Sequence, residues 1–268
     1  MVFCCVVLAT GQVWAAGWGD VQGVGILLQV ALVLPAFLLG IGFHEFAHAY
    51  VAVRLGDPTP EDEGRLSLNP LDHLEPMGSL LILGAFVMHL PLIGWGLPVP
   101  VRAAAFRNPI RDMMKVALAG PLMNLAIAGG GAALWMAGDS LRFGMDWGLD
   151  RSAAFNIQLV LQSIIVTNLS LALFNLLPIP PLDGTWILRE FLNSDQTLLL
   201  ARVEPFGFLI LLLLMQTPLL DAPFRFVFRL MPAICDSALW LAAYLAVVGL
   251  AWHLLLRSLP TFFLHRSD

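Results

Sequence analysis

The chain has 268 residues, of which 59% are hydrophobic and 12% charged, whereas a soluble domain carries about 25% charged residues. This excludes a soluble globule, because the apolar residues fall in long uncharged runs between short charged segments, the pattern of a polytopic membrane protein. The formal net charge of -5, from 14 Lys+Arg and 19 Asp+Glu, contains no basic block able to follow a phosphate backbone, so no nucleic-acid partner is expected. Cys4, Cys5 and Cys235 form neither a disulfide framework nor a C-x-x-C metal pair.

No charged residue precedes Asp20. A signal peptide would carry Lys or Arg ahead of its apolar stretch, so 1–20 is read as an extra N-terminal membrane segment. A spanning helix needs about 20 mostly apolar residues. Between Asp20 and Arg54 the only Asp, Glu, His, Lys or Arg side chains are His44, Glu45 and His48, and counting back from Arg54 places a span near 34–53. The uncharged run from Glu75 to Arg102 contains His89, Pro91, Gly94, Gly96, Pro98 and Pro100. It reads poorly as one straight helix and is expected to be re-entrant or strand-like over 76–101. Two further uncharged runs, between Lys115 and Asp139 and between Arg151 and Asp183, predict spans near 116–138 and 155–177. Weaker candidates follow Glu204 at 205–220 and Asp236 at 237–256. The expected fold is therefore an all-α polytopic membrane protein: one membrane domain over 1–268, a three-helix core at about 34–191, and additional spans within 203–257. No internal repeat or low-complexity linker divides it.

Within the first strong span, His44-Glu45-Phe46-Ala47-His48 is an H-E-x-x-H pattern. On a helix the two histidines fall on one face and can share a zinc ion, and the glutamate between them is placed to act on water there. At 1.5 Å per residue the motif lies roughly 9–15 Å inside the span's C-terminal end. Three ionisable side chains at that depth are costly, which favours function over packing; the bland alternative is a polar helix contact or a conduction path. A hydrolytic zinc site usually has three protein ligands and an open position. Asp183 is the best third candidate, because it ends the longest of these uncharged runs. Pro178, Pro180 and Pro181 break the helix before it and Gly184 permits a tight turn after it. Alone, Asp183 would read as a helix cap or a surface carboxylate.

These residues together resemble the site-2 protease family of intramembrane zinc metalloproteases, in its compact branch without a PDZ domain. The resemblance rests on 44–48 and on the Asn175-Leu176-Leu177-Pro178 to Leu182-Asp183-Gly184 stretch, with further matches at 64–70, 98–101, 106–109 and 119–124, and covers about 34–215. It implies one Zn2+ per chain held by His44, His48 and Asp183, with Glu45 as general base and acid and Asn175 positioning substrate or the oxyanion. The implied activity is zinc-dependent endopeptidase cleavage within or near the transmembrane segment of a membrane-protein substrate, as in regulated intramembrane proteolysis. The alternative is a zinc or proton transporter using the same His/Glu/Asp cluster. Asn124 reads as packing beside Gly120 and the 129–131 glycines, and His73 and His89 read as structural.

Topology adds a constraint. The motif lies towards the C-terminal end of its helix and Asp183 follows the C-terminal end of another, so those ends must share a side. That requires 76–101 to enter and leave on one side. Arg102, Arg107, Arg111 and Lys115 then fall inside, as the positive-inside rule prefers. The expected setting is the cell membrane of a prokaryote, with the active site opening to the cytoplasm and the lipid bilayer and a transmembrane substrate as partners.

Overall fold

A computed structural model describes residues 5–7, 26–88, 93–142, 151–215 and 233–259, with scattered positions between 217 and 229. In chain order the elements are β1 (Cys5–Val7), α1 (Ile26–Leu55), α2 (Thr59–Asp62), α3 (Pro76–Met88), β2 (Ile93–Trp95), α4 (Pro109–Arg142), α5 (Arg151–Asn175), α6 (Gly184–Arg189), α7 (Ser194–Val203), α8 (Gly207–Met215) and α9 (Ala238–Arg257). Five stretches are long and apolar enough to cross a membrane: Leu34–Leu55, Pro109–Gly138, Ile157–Asn175, Ser194–Leu214 and Ala238–Arg257. The fold is the expected all-α polytopic membrane protein, with β1 and β2 as a short antiparallel pair. The N-terminal membrane segment expected at 1–20 lies outside the described residues except for β1.

The core is the pairwise packing of α1, α4 and α5. From 41 to 55, α1 is buried except at Phe43, Phe46, Tyr50 and Arg54. Those residues recur every three or four positions, so a single narrow stripe escapes burial and the rest of the helix is enclosed. The neighbouring face of α4 carries Ala117, Gly120, Asn124, Ala128 and Gly131, all buried. Small residues at helical spacing let backbones approach closely; a Cβ on Gly131 would stand 3.0 Å from Ile165 of α5.

Packing fixes the direction of each helix. Leu55, Phe106, Met113, Val116, Leu255 and Leu259 belong to one cluster, so the C-terminal ends of α1 and α9 share an end of the bundle with the start of α4. Ala128, Ala132, Ile165, Leu169 and Leu241 form another cluster, joining the later part of α4 to α5 and the start of α9. Thus α1 and α9 run one way and α4 the other.

The segment between α1 and α4 enters and leaves on one side, as the topology requires. Leu74 and Gly96 form an antiparallel bridge, and the Leu97 N–H donates to the His73 carbonyl at 2.7 Å. Inside that neck lie α3 and β2, so Pro76–Met88 is a helix going in and Ile93–Trp95 an extended strand coming back. Buried Asp57 closes the base: its carboxylate accepts from the Thr59 hydroxyl at 2.6 Å and from the Arg102 N–H at 2.6 Å, tying the exit of α1 to the approach to α4.

One boundary differs from the sequence reading. The fourth candidate span opens at Ser194 rather than near 205. Glu204 interrupts the apolar run in sequence, yet α7 continues through a 3-10 turn (Glu204–Phe206) into α8, and the Glu204 carboxylate is paired with the Arg189 guanidinium. Pairing lowers the cost of a charge that looked like a boundary.

The hairpin path predicts that Arg54→Cys and Gly94→Cys, each made in a chain whose native cysteines are replaced by Ser, react with a membrane-impermeant maleimide from the same face. Labelling from opposite faces would contradict it.

Candidate metal centre

α1 delivers His44, Glu45 and His48 to its enclosed side, and all three are 0% exposed. Asp183 arrives from the break after α5 and is equally buried. It stands at the N-cap position of α6, but its side chain makes no cap hydrogen bond. The carboxylate is turned instead towards α1, which removes the helix-cap reading. Gly184 makes this turn feasible: a Cβ there would collide with the carbonyl oxygens of Leu176 and Leu177, so the chain can double back under the end of α5 only without a side chain.

The two histidine Nε2 atoms lie 2.9 Å apart, and Asp183 Oδ2 lies 3.1 Å from that of His44 and 3.3 Å from that of His48. Adjacent ligands on a tetrahedral zinc, with bonds of 2.0–2.1 Å, stand roughly 3.3 Å apart. The opposite ring nitrogens settle what these atoms can do. His48 Nδ1 is 2.6 Å from the Val116 carbonyl and His44 Nδ1 meets the Asn124 Oδ1. Both partners are acceptors, so both Nδ1 atoms carry the proton and both Nε2 atoms present lone pairs. Two lone pairs and a carboxylate oxygen converge with no donor among them, and neither Asp183 oxygen accepts a hydrogen bond. Such a set repels itself unless a cation stands between its members. Among the described residues it is the group of His, Cys, Asp and Glu able to hold a metal ion, and its chemistry fits zinc.

α4 forms the third wall. A Cβ on Gly120 would press into the Nε2 atoms of both His44 and His48, so the missing side chain keeps open the space that a metal would fill. Glu45 stands beside it, one carboxylate oxygen accepting from the Val99 N–H at 3.3 Å and the other, Oε1, with no hydrogen-bond partner. Thus the returning strand of the hairpin reaches the site through backbone, not side chain.

The remaining candidates are placed as follows. Asn175 is fully buried and donates to the Leu171 carbonyl at 2.9 Å on its own helix. His73 is buried in the neck, its Nε2 at 2.8 Å from the Ser67 carbonyl. Burial holds its pKa below the ordinary imidazole value, and it does not join the His44 group. His89 lies outside the described residues. Asn124, which reads from sequence as packing, is the partner of a candidate ligand, and Asn168, in an uncharged run, carries no sequence signal for its contact with Asn124. The available signal was the Gly120-x-x-x-Asn124 spacing, which places both on one face of α4. It marks close approach without saying which neighbour approaches.

Gly120→Ala is expected to lose zinc, from about one ion per chain to near none, while α4 itself stays helical because Ala favours a helix interior over Gly by about 1 kcal/mol. The check is metal content of the purified protein alongside its thermal unfolding. Zinc at wild-type stoichiometry in that variant would contradict the placement.

A family model described as "Peptidase family M50" matches residues 140–216, the part that carries Asn175 and Asp183. A Bacillus subtilis (strain 168) protein named "Putative zinc metalloprotease YwhC" is 38% identical over 186 residues, covering 68% of this chain and 78% of that protein. "Putative zinc metalloprotease Rip2" of Mycolicibacterium smegmatis is 33% identical over 252 residues, 92% of this chain and 90% of that protein. The Mycobacterium tuberculosis (strain H37Rv) protein of the same name is 33% identical over 215 residues, with 79% and 76% covered. No solved structure matches significantly. With relatives aligned along most of its length and a buried zinc-compatible His-His-Asp group, the chain belongs to peptidase family M50 and is a multi-pass membrane zinc metalloprotease.

Proposed function

We propose that the protein is an intramembrane endopeptidase, cleaving within or near transmembrane segments of other membrane proteins as in regulated intramembrane proteolysis. The observation that carries this reading is depth. His44, Glu45 and His48 are 0% exposed and lie within Leu34–Leu55, a helix apolar enough to span the bilayer. A peptide bond must therefore come to that depth to be cut.

In this reading His44, His48 and Asp183 hold the metal, which supplies a Lewis acid that polarises the scissile carbonyl and acidifies water. Glu45 takes a proton from the attacking water at Oε1 and returns it to the leaving amine, so one water is consumed per peptide bond. The Val99 N–H holds the other Glu45 oxygen and fixes the carboxylate's direction. Asn175 is assigned the positioning of substrate or oxyanion, since an amide donor suits developing negative charge. A substrate helix must unwind before its carbonyl can be attacked, and the unpaired backbone then needs partners. Residues 93–101 offer them: β2 already pairs with Cys5–Val7, an extended apolar piece of the same chain, in the manner expected of substrate.

Orientation follows from charge. Arg54 ends α1 and Arg257 ends α9, at the end of the bundle where α4 begins beside Arg102, Arg107, Arg111 and Lys115. Positive residues gather on the cytoplasmic side, so the site is taken to open to the cytoplasm of a prokaryotic cell.

Glu45→Gln is expected to lower cleavage of a single-span substrate by about 100- to 10,000-fold while the protein keeps its zinc, and Asp183→Asn to lose both. Retained cleavage in Glu45→Gln would overturn the assigned chemistry.

A further inference from the structure

The ring of His44 meets one asparagine, Asn124, which is itself held by a second. Asn124 Nδ2 donates to Asn168 Oδ1 at 2.9 Å and to the Gly40 carbonyl at 3.3 Å, and Asn168 Nδ2 donates to the Ile164 carbonyl at 2.9 Å. Asn124 and Asn168 are 0% exposed, and they join α1, α4 and α5 where these helices meet. Gly40 opens the space: a Cβ there would stand 2.9 Å from Asn168 Oδ1 and 2.8 Å from Leu171.

The direction of this chain of bonds is fixed by its ends. A backbone carbonyl can only accept, so the Ile164 carbonyl forces the NH2 of Asn168 towards itself and leaves Oδ1 facing Asn124. The Gly40 carbonyl and that Oδ1 both demand the NH2 of Asn124, whose Oδ1 then faces His44. An acceptor at that point requires the proton on His44 Nδ1, and the lone pair is left on Nε2, beside Asp183. Neither amide can flip without placing two acceptors or two donors in contact inside a buried site.

We infer that Asn124 and Asn168 are positioning residues forming one directional relay. It locks His44 in the tautomer that leaves Nε2 for the metal, and Asn168 acts on the metal only through Asn124. The inference rests on the proposed role of His44 as a ligand. It goes beyond that role in making metal affinity depend on how α5 is docked: the α5 end of the relay lies fifteen residues before Asp183 in sequence, so the helix that leads to one ligand also orients another. Partners of this kind on the far nitrogen of a ligating histidine typically contribute 10- to 100-fold in metal affinity.

The test is zinc affinity of the detergent-solubilised full chain, measured by competition with a chromophoric chelator, with the visible spectrum of the Co2+-substituted protein as a second readout. Asn124→Ala should weaken zinc binding about 10- to 100-fold and shift the Co2+ bands. Asn168→Ala should weaken it by a smaller factor, and by no further factor in the Asn124→Ala background. Asn124→Asp keeps an acceptor facing His44 Nδ1 but sets its second oxygen against the Gly40 carbonyl and Asn168 Oδ1, and should weaken zinc binding clearly less than Asn124→Ala; a purely structural asparagine would make Asp as damaging as Ala. Additive effects of the two Ala substitutions, or Asp and Ala equally weakened, would overturn the relay. If Asn124→Ala fails to fold, Asn124→Asp and Asn168→Ala decide alone, the former expected still to hold zinc and the latter to bind it more weakly than wild type. His44→Ala separates the two levels: zinc affinity unchanged there overturns the metal site itself, whereas loss there with no loss in Asn124→Ala overturns only the relay.

Discussion

Three electron-pair donors held within about one zinc–ligand edge of one another, all fully buried, are the constraint on which the rest of the structure depends. His44 Nε2, His48 Nε2 and Asp183 Oδ2 lie 2.9 to 3.3 Å apart, and desolvating a carboxylate alone costs several kcal/mol. The helices cannot relieve that cost by turning the groups outwards, because α1 is enclosed on nearly every side from 41 to 55. A divalent cation relieves it directly. The apolar wall and the polar centre are therefore one design: the wall makes the group unfavourable without metal, and metal binding in turn steadies the packing of α1 against α4 and against the break after α5.

The surrounding features are ordered by this requirement. Gly120 withholds a side chain where an ion held by this group would sit, and Gly184 lets the backbone fold back so that Asp183 reaches a helix it does not follow. Val116 meets the site through its carbonyl, which holds the proton on His48 Nδ1 and leaves Nε2 with its lone pair. The hairpin from Leu74 to Gly96 solves two problems with one path. It keeps α1 and α4 antiparallel neighbours, and it carries an extended strand towards Glu45, where an unwound substrate would need backbone partners.

Much of this was legible in the sequence, for identifiable reasons. His44, Glu45 and His48 stood out because ionisable residues interrupt an otherwise uncharged run, and Asp183 because it terminates another. The return of 76–101 to its starting side followed from the parity of the spans once the two metal motifs had to meet. What stayed hidden depends on contacts across helices. Asn124 and Asn168 are ordinary amides in apolar runs, and nothing in their spacing says that one faces a histidine ring and the other faces the first. Gly120 announced close approach, but whether its neighbour was a Leu or a metal ligand is a matter of helix rotation. Glu204 misplaced a span boundary because its partner, Arg189, lies fifteen residues earlier, outside any local window.

The central claim is that two imidazoles and one carboxylate of this chain hold the metal. Zinc K-edge X-ray absorption on the purified protein tests it most directly. The account predicts a first shell of nitrogen and oxygen only, with about two imidazoles at roughly 2.0–2.1 Å, and one imidazole fewer, or no bound zinc, in His48→Ala. Sulfur in the first shell, or a spectrum and zinc content unchanged in that variant, would contradict it.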